Sequence, residues 1–303
     1  MLKKTRLLMI ILFLSPAVLM YTLIFFYPTI KTIIMSFFKM DSISSRMSEW
    51  GFIGLGNYIN LLNSQLFMQS LKNVFFIWLI GGIIIFFFAL LFAVILTSGV
   101  KFKSFYRSVI YLPNVVSAVA MATMWIHYVY NSKYGLLKSV FSFLSIDKLA
   151  NMQWTSPDNI FIALVIAYSF GMVGYFMLIF MAGIERIPTD FYEAATIDGA
   201  NVFQQFFQIT LPLLSDIMRT NVVLWTINAV GFFVWSQLFS PLIPEPGTVT
   251  PMVYMYQEVF GANQVVLDRN VGNGAAVGVV LTLIIVLSFI VTNIIFKDKK
   301  LEF

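Results

Sequence analysis

Long apolar runs alternate with short polar, glycine- or proline-bearing breaks along this chain. A spanning α-helix needs about 20 consecutive, predominantly apolar residues. Six stretches meet that length, at about 7–27, 74–96, 109–129, 160–181, 213–235 and 274–295. The first follows Lys3, Lys4 and Arg6, contains Pro16 and ends at Pro28. Its apolar run exceeds the roughly 7–15 residues of a secretion-signal core, and no small-x-small cleavage site follows, so it is expected to be a retained span. The pattern predicts an all-α membrane protein with six transmembrane helices, a single transmembrane domain over residues 1–303.

Two of the breaks carry patterns of their own. Residues 37–70 contain GFIGLGNYINLL, whose glycines and Asn57 make it an interfacial stretch of turns. Phe191–Pro212, FYEAATIDGANVFQQFFQITLP, is the longest ordered polar interruption. Pro188 stops the preceding helix. Asp190 with Glu193 has capping-box spacing, and so does Asn201 with Gln204. Gly199 suits the left-handed position that ends a helix. The second helix is expected to run to about Ile209, before Pro212 disrupts it. Helices this short are marginal in water unless they pack on something. Ala194 and Ala195 allow a partner to approach closely, and Glu193 and Asp198 can cap or pair with its groups. Taken alone, this local physics favours an ordinary connector lying on the inner membrane face.

Composition narrows the class. The chain is 59% hydrophobic and 11% charged, against roughly 25% charged in soluble domains. It has no cysteine and one histidine, His127, which removes thiol chemistry and makes a zinc site improbable. The net charge of +5 is modest and sits mainly near predicted helix ends, so it reads as orientation, not nucleic-acid binding. Lys101, Lys103 and Arg107, with Lys297, Lys299 and Lys300 of the tail, join the basic N-terminus on one side. This places both termini and the 191–212 break in the cytoplasm.

The predicted fifth span carries Asn221, Trp225, Asn228, Phe232 and Trp235 at helical steps that put them on one stripe. Amides hydrogen-bond sugar hydroxyls and aromatic rings pack on pyranose faces, so this stripe is a candidate path for an uncharged carbohydrate. Tyr168, Met172 and Tyr175 form a similar stripe on the fourth span. The competing readings are asparagine as interhelical glue and Trp235 as an interface anchor. Asp216 and Arg219 have the spacing of a local ion pair. No carboxylate sits mid-span, which argues against a stand-alone proton-coupled carrier, and no constellation for a membrane enzyme is present.

The spacing E-A-A, three residues, G, nine residues, I-x-L-P is met by Glu193, Ala194, Ala195, Gly199, Ile209, Leu211 and Pro212. It resembles the EAA signature of permease subunits of binding-protein-dependent ABC importers, the maltose/multiple-sugar permease family in particular. Arg107 to Leu137 and GFIGLGNYINLL resemble other regions of that family. The resemblance implies a type I importer permease fold with a cytoplasmic EAA coupling helix in the loop 189–212. It also implies a permease that moves a sugar or oligosaccharide by alternating access and is not itself an enzyme. Its partners are a second permease subunit, two ATPase subunits and an extracellular solute-binding protein, in a bacterial cell membrane. The chain has no G-x-x-x-x-G-K-[ST] loop, so ATP and Mg belong to the partner ATPase and no cofactor or metal to this chain. Two stretches differ from the family pattern, Ile243–Gly247 after the fifth span and Val230–Gly231 within it. Both concern substrate identity, and a polyol phosphate such as glycerol 3-phosphate is the alternative cargo.

Overall fold

The structure is a computed structural model and describes residues 2–240, 245–261 and 269–296. Ile243 and Pro244 of the outer loop, and Lys297, Lys299 and Lys300 of the tail, lie outside the described residues. In chain order, α1 (Met9–Met35) leads to a small antiparallel hairpin, β1 (Phe38–Lys39) with β2 (Gly51–Phe52). Then come α2 (Gly56–Asn63), α3 (Gln65–Thr97), α4 (Lys103–Val115), α5 (Ala118–Val129) and α6 (Leu136–Phe143). These are followed by α7 (Ile160–Ile184), α8 (Thr189–Ile197), α9 (Val202–Gln205) and α10 (Ser215–Val230). The last are α11 (Val234–Phe239), α12 (Pro251–Phe260) and α13 (Val271–Ile295).

Among the described residues, four helices are long and apolar enough to cross a membrane: α1, α3, α7 and α13. The pair α4 and α5 makes a fifth only if two segments bent by 96° count as one span. The protein is therefore all-α and multi-pass, but the expected six transmembrane helices are not there. The expected third span at 109–129 breaks because Val116 and Ser117 adopt extended conformations, and the Ser117 side chain accepts from the Ala120 N–H to start α5 afresh. The expected fifth span at 213–235 is interrupted at both ends. Its helix α10 has 16 residues, about 24 Å at 1.5 Å each, short of a hydrocarbon core of about 30 Å. Gly231 ends it, and the chain resumes helix only at Val234. The cytoplasmic EAA coupling helix expected with that fold is likewise not identified. Residues 189–212 contribute the nine-residue α8, the four-residue α9 and a π turn at Phe206–Thr210.

The chain divides into two compact units, Met1–Gln65 with Tyr254–Thr282, and Leu66–Val253 with Leu283–Phe303. In the first, Asn57 of the GLGNY stretch is fully buried. Its amide donates to the Ser36 and Phe38 carbonyls, both at 2.9 Å, and its Oδ1 accepts from Asn270 Nδ2 at 2.9 Å. Gly272 is packed so tightly that a Cβ there would fall on the Phe38 carbonyl oxygen. The GLGNY motif thus ties the turn after α1 to the start of α13.

In the second unit α7 is the central helix, packed on α3, α4 and α10. Phe86 of α3 meets Phe176 and Phe180 edge-on, with ring centroids 5.2 and 6.0 Å apart. Gly174 lets α4 lie against α7, since a Cβ at that position would sit 2.3 Å from the Ile110 carbonyl oxygen. Asn114 then anchors the bend of the α4–α5 pair by donating to the Gly171 carbonyl at 3.3 Å.

Candidate functional site

The 189–212 segment is built by local rules. α8 begins at Thr189 with Pro188 in the cap position and no side-chain cap, so the capping box expected from Asp190 and Glu193 does not form. The helix instead uses the preset φ of Pro188 as its stop and start. Gly199 has φ +82°, the left-handed conformation that glycine adopts without cost, and the Ala200 N–H closes onto the Ala195 carbonyl at 2.8 Å. Asn201 and Gln204 do form the reciprocal box: Gln204 N–H to Asn201 Oδ1 at 2.9 Å, and Asn201 N–H to Gln204 Oε1 at 2.8 Å. The helical path continues past Ile209 to Leu213, because the π turn shifts the pairing ahead of Pro212, whose nitrogen has no hydrogen to donate.

Side chains tie these turns into one unit. Tyr192 Oη and Thr210 Oγ1 are 2.9 Å apart, and Gln205 Nε2 donates to Thr196 Oγ1 at 3.0 Å. A cavity of about 470 Å³ lies between this unit and the ends of α3 and α7, lined by Thr97, Glu185, Tyr192, Gln205 and Thr210 among others. Glu193, Ala194, Asp198, Gly199 and Pro212 are exposed, and Ala195 and Ile209 are half-buried. Beside them Ile197, Val202, Phe203 and Phe207 are 87, 70, 77 and 61% exposed. A rigid unit with this much uncovered apolar surface is made to be covered by something else.

The other expected residues divide into two groups. Tyr168 is the hub of a buried aromatic cluster, with ring centroids 4.6 Å from Phe232, 5.6 Å from Trp235 and 5.9 Å from Trp225. Phe232 lies in the break after Gly231 and Trp235 beyond it, so the stripe expected on one helix is divided between α10, the break and α11, and Tyr168 of α7 joins it. Asn221 is fully buried, and neither atom of its amide has a protein partner among the described residues. Asn228 is half-buried and donates back to the Leu224 carbonyl at 2.8 Å. Tyr175 stands apart from the cluster, against Phe176 at 5.1 Å. Asp216 and Arg219 form the expected local ion pair at 3.6 Å.

The sequence reading missed what holds Trp225. Its indole N–H donates to the Trp78 carbonyl at 2.7 Å, and the Trp78 indole donates to Thr226 Oγ1 at 2.9 Å. Thr226 Oγ1 in turn lies 3.0 Å from Ser288 Oγ. The contact requires Gly82, where a Cβ would sit 2.7 Å from Trp225 Nε1. It also follows a π turn at Ile77–Gly81, which re-aims the α3 backbone at this level. The Gly81–Gly82 pair inside an otherwise bulky apolar run was the available signal. A cavity of about 900 Å³ opens beside the network and is almost wholly apolar. The network's hydroxyl and indole groups are spent on one another. Among the described residues, no cluster of three or more His, Cys, Asp or Glu side chains is placed to hold a metal ion.

Comparison with known proteins bears on both regions. Residues 85–299 match the family model of the binding-protein-dependent transport system inner membrane component. The chain is 32% identical to the arabinooligosaccharides transport system permease protein AraP of Halalkalibacterium halodurans, over 89% of this chain and 82% of the relative. It is 30% identical to the trehalose/maltose transport system permease protein MalF of Thermococcus litoralis, over 80% and 78%. In fold it is similar to a chain of a bacterial ABC transporter involved in the import of the acidic polysaccharide alginate, with a TM-score of 0.79, 18% identity, and coverage of 98% and 97%. The matched region contains the C-terminal part of α3 and all of α4 to α13, and with it both the 189–212 unit and the aromatic cluster. The chain belongs to the family of binding-protein-dependent transport system inner membrane components.

Proposed function

We propose that this chain is the permease of an importer for an uncharged oligosaccharide, and that residues 189–212 receive the movement of its ATPase. The chain is the transmembrane component of a sugar or oligosaccharide ABC importer that works with a separate ATPase; it is not itself an enzyme. The relatives named above for arabino-oligosaccharides and for trehalose and maltose support a neutral sugar as cargo. So does the aromatic character of the buried cluster of Tyr168, Trp225, Phe232 and Trp235, which contains no cation for a phosphate. The complete transporter holds a second permease subunit, two ATPase subunits and a solute-binding protein, with both termini and the 189–212 unit in the cytoplasm.

The observation that carries the reading is the exposed helix–glycine–helix unit lying inside the family-matched region. Glu193, Ala194, Ala195, Asp198, Gly199, Ile209 and Pro212 are its coupling residues. ATPase closure moves the unit as one body, because its internal bonds leave it no independent joint, and the movement switches the spans between two access states. Asn221, Trp225, Asn228, Phe232, Trp235, Tyr168 and Tyr175 line or support the path.

The test is reconstitution. The chain is co-purified with its ATPase, second permease and binding protein, and uptake of radiolabelled arabino-, malto- and chito-oligosaccharides is followed in proteoliposomes. Accumulation that needs ATP and the binding protein is expected. Sugar flux through the chain alone without ATP, or ATP-driven uptake of a polyol phosphate and no sugar, contradicts the proposal.

A further inference from the structure

The loop between α5 and α7 presents an apolar surface that transport, as described above, does not use. Helix α6 has two apolar faces. Leu137 and Phe141 pack on the core, with the Phe141 ring stacked on Trp154 at 6.4 Å and Trp154 on Tyr130 at 5.6 Å. Leu136, Val140 and Phe143 recur at helical spacing on a second face, and Leu144 extends it past the helix end. These four are 59, 42, 88 and 55% exposed. The remaining arc is polar: Lys138, Ser139 and Ser142.

The helix is fixed in place, so this exposure belongs to a set geometry. Asn131 Oδ1 accepts the backbone N–H groups of Lys133 and Tyr134, at 2.9 and 3.2 Å. Gly135 is wedged against the preceding turn, where a Cβ would lie 2.4 Å from the Asn131 carbonyl oxygen. Lys138 Nζ donates to the Ser132 carbonyl at 2.8 Å, and Tyr130 Oη donates to the Ala163 carbonyl of α7 at 2.7 Å. The start of the loop is thereby tethered to α7, an apolar helix of a multi-pass membrane protein.

Charge and ring chemistry identify what covers the stripe. Residues 130–146 contain no aspartate or glutamate; Lys133 precedes the helix and Lys138 lies on its polar arc, away from the stripe. Tyr128 and Tyr134, in the stretch leading into α6, are 66 and 68% exposed. Large apolar side chains on one face, a lysine on the polar arc and another just before the helix, and exposed tyrosines nearby in sequence are the composition of a helix lying in the headgroup region of a bilayer. We propose that α6 lies in the membrane interface and binds acidic phospholipid, with Leu136, Val140, Phe143 and Leu144 among the acyl chains and Lys133 and Lys138 at the phosphates.

The chain has no cysteine, so a single Phe143→Cys change in the full-length protein gives one labelling site. The labelled protein is placed in nanodiscs of phosphatidylcholine with or without phosphatidylglycerol, and a Thr155→Cys label on the same loop, at an exposed position, serves as the reference. A monodisperse elution profile confirms folding of each variant. Lipids spin-labelled high on the acyl chain are expected to quench the label at 143 and not at 155, with iodide quenching in the reverse order. Phosphatidylglycerol is expected to increase the lipid quenching at 143, and the increase to vanish in the Lys133→Gln/Lys138→Gln background and to weaken with salt. Iodide quenching at 143 equal to that at 155 overturns the proposal. So does a label at 143 that is shielded only when solute-binding protein is added, which assigns the face to a protein partner. Lipid quenching indifferent to phosphatidylglycerol overturns the acidic-headgroup assignment.

Discussion

Residues 189–212 and the cluster around Tyr168 lie in the same compact unit and are held in opposite ways. The first is defined by neighbours in sequence: Pro188 before it, Gly199 at its turn, the Asn201–Gln204 box and the Tyr192–Thr210 bond. Its large apolar side chains point outward and stay uncovered. The second is defined by residues far apart in sequence, with Tyr168, Trp225, Phe232 and Trp235 buried against one another and Trp225 fixed by Trp78 of another helix. A unit held locally keeps its shape while it is pushed from outside. A unit held by tertiary packing changes when the helices around it move. Under the proposed function the first would receive movement and the second respond to it.

The comparison breaks first at Gly82. A Gly82→Val side chain begins 2.7 Å from Trp225 Nε1 and drives the indole from its bond to Trp78. A loss of about 1–3 kcal/mol is expected from overpacking, read as a lower melting temperature of the purified protein. Asn221→Leu acts on the same region with the opposite sign. It removes a buried amide that has no partner at either atom among the described residues, and the gain is about 1–3 kcal/mol. A higher melting temperature together with slower uptake is expected. A drop in melting temperature would show that the amide is satisfied after all.

Gly199→Val probes the other region. No atom lies within 4 Å of a Cβ there, so the change brings no clash, only the left-handed backbone at φ +82°, a strain of about 1–2 kcal/mol. The variant is expected to insert and to melt near the parent temperature, yet to lose ATP-driven uptake. Full uptake by Gly199→Val counts against a coupling role for the unit. The smallest effect is expected at Asn228→Ala, which gives up one bond to the Leu224 carbonyl of its own helix, worth about 1 kcal/mol or less. A marked loss of uptake without a change in melting would place Asn228 on the path, whereas unchanged uptake makes it packing.

These outcomes parallel what could be read from the chain beforehand. Gly199 and the Asn201–Gln204 box were legible because turns and caps are set by three to five neighbouring residues. Asp190 and Glu193 misled because Pro188 supplied the cap position two residues earlier, and spacing alone does not choose between two starts. The second and fourth apolar runs became α3 and α7, whose unbroken hydrophobicity left one solution. The third and fifth were over-read. Apolar content near 109–129 and 213–235 is high enough to span, but Val116–Ser117 and Gly231–Phe233 break the helices, and hydrophobicity counts do not see those breaks. The clasp of Trp78, Gly82, Trp225, Thr226 and Ser288 left only the Gly81–Gly82 pair as a trace, because its bonds join positions 62 to 148 residues apart.

The central claim is that residues 189–212 are where an ATPase drives this permease. A single cysteine placed by Ala194→Cys in the otherwise cysteine-free chain tests it directly, by cross-linking within the assembled transporter to a cysteine-scanned ATPase subunit. Efficient cross-linking at 194 is expected, shifting to different ATPase positions when ATP is added, with none from the Thr155→Cys control. Absence of any cross-link at 194 in a transporter that still takes up sugar would contradict it.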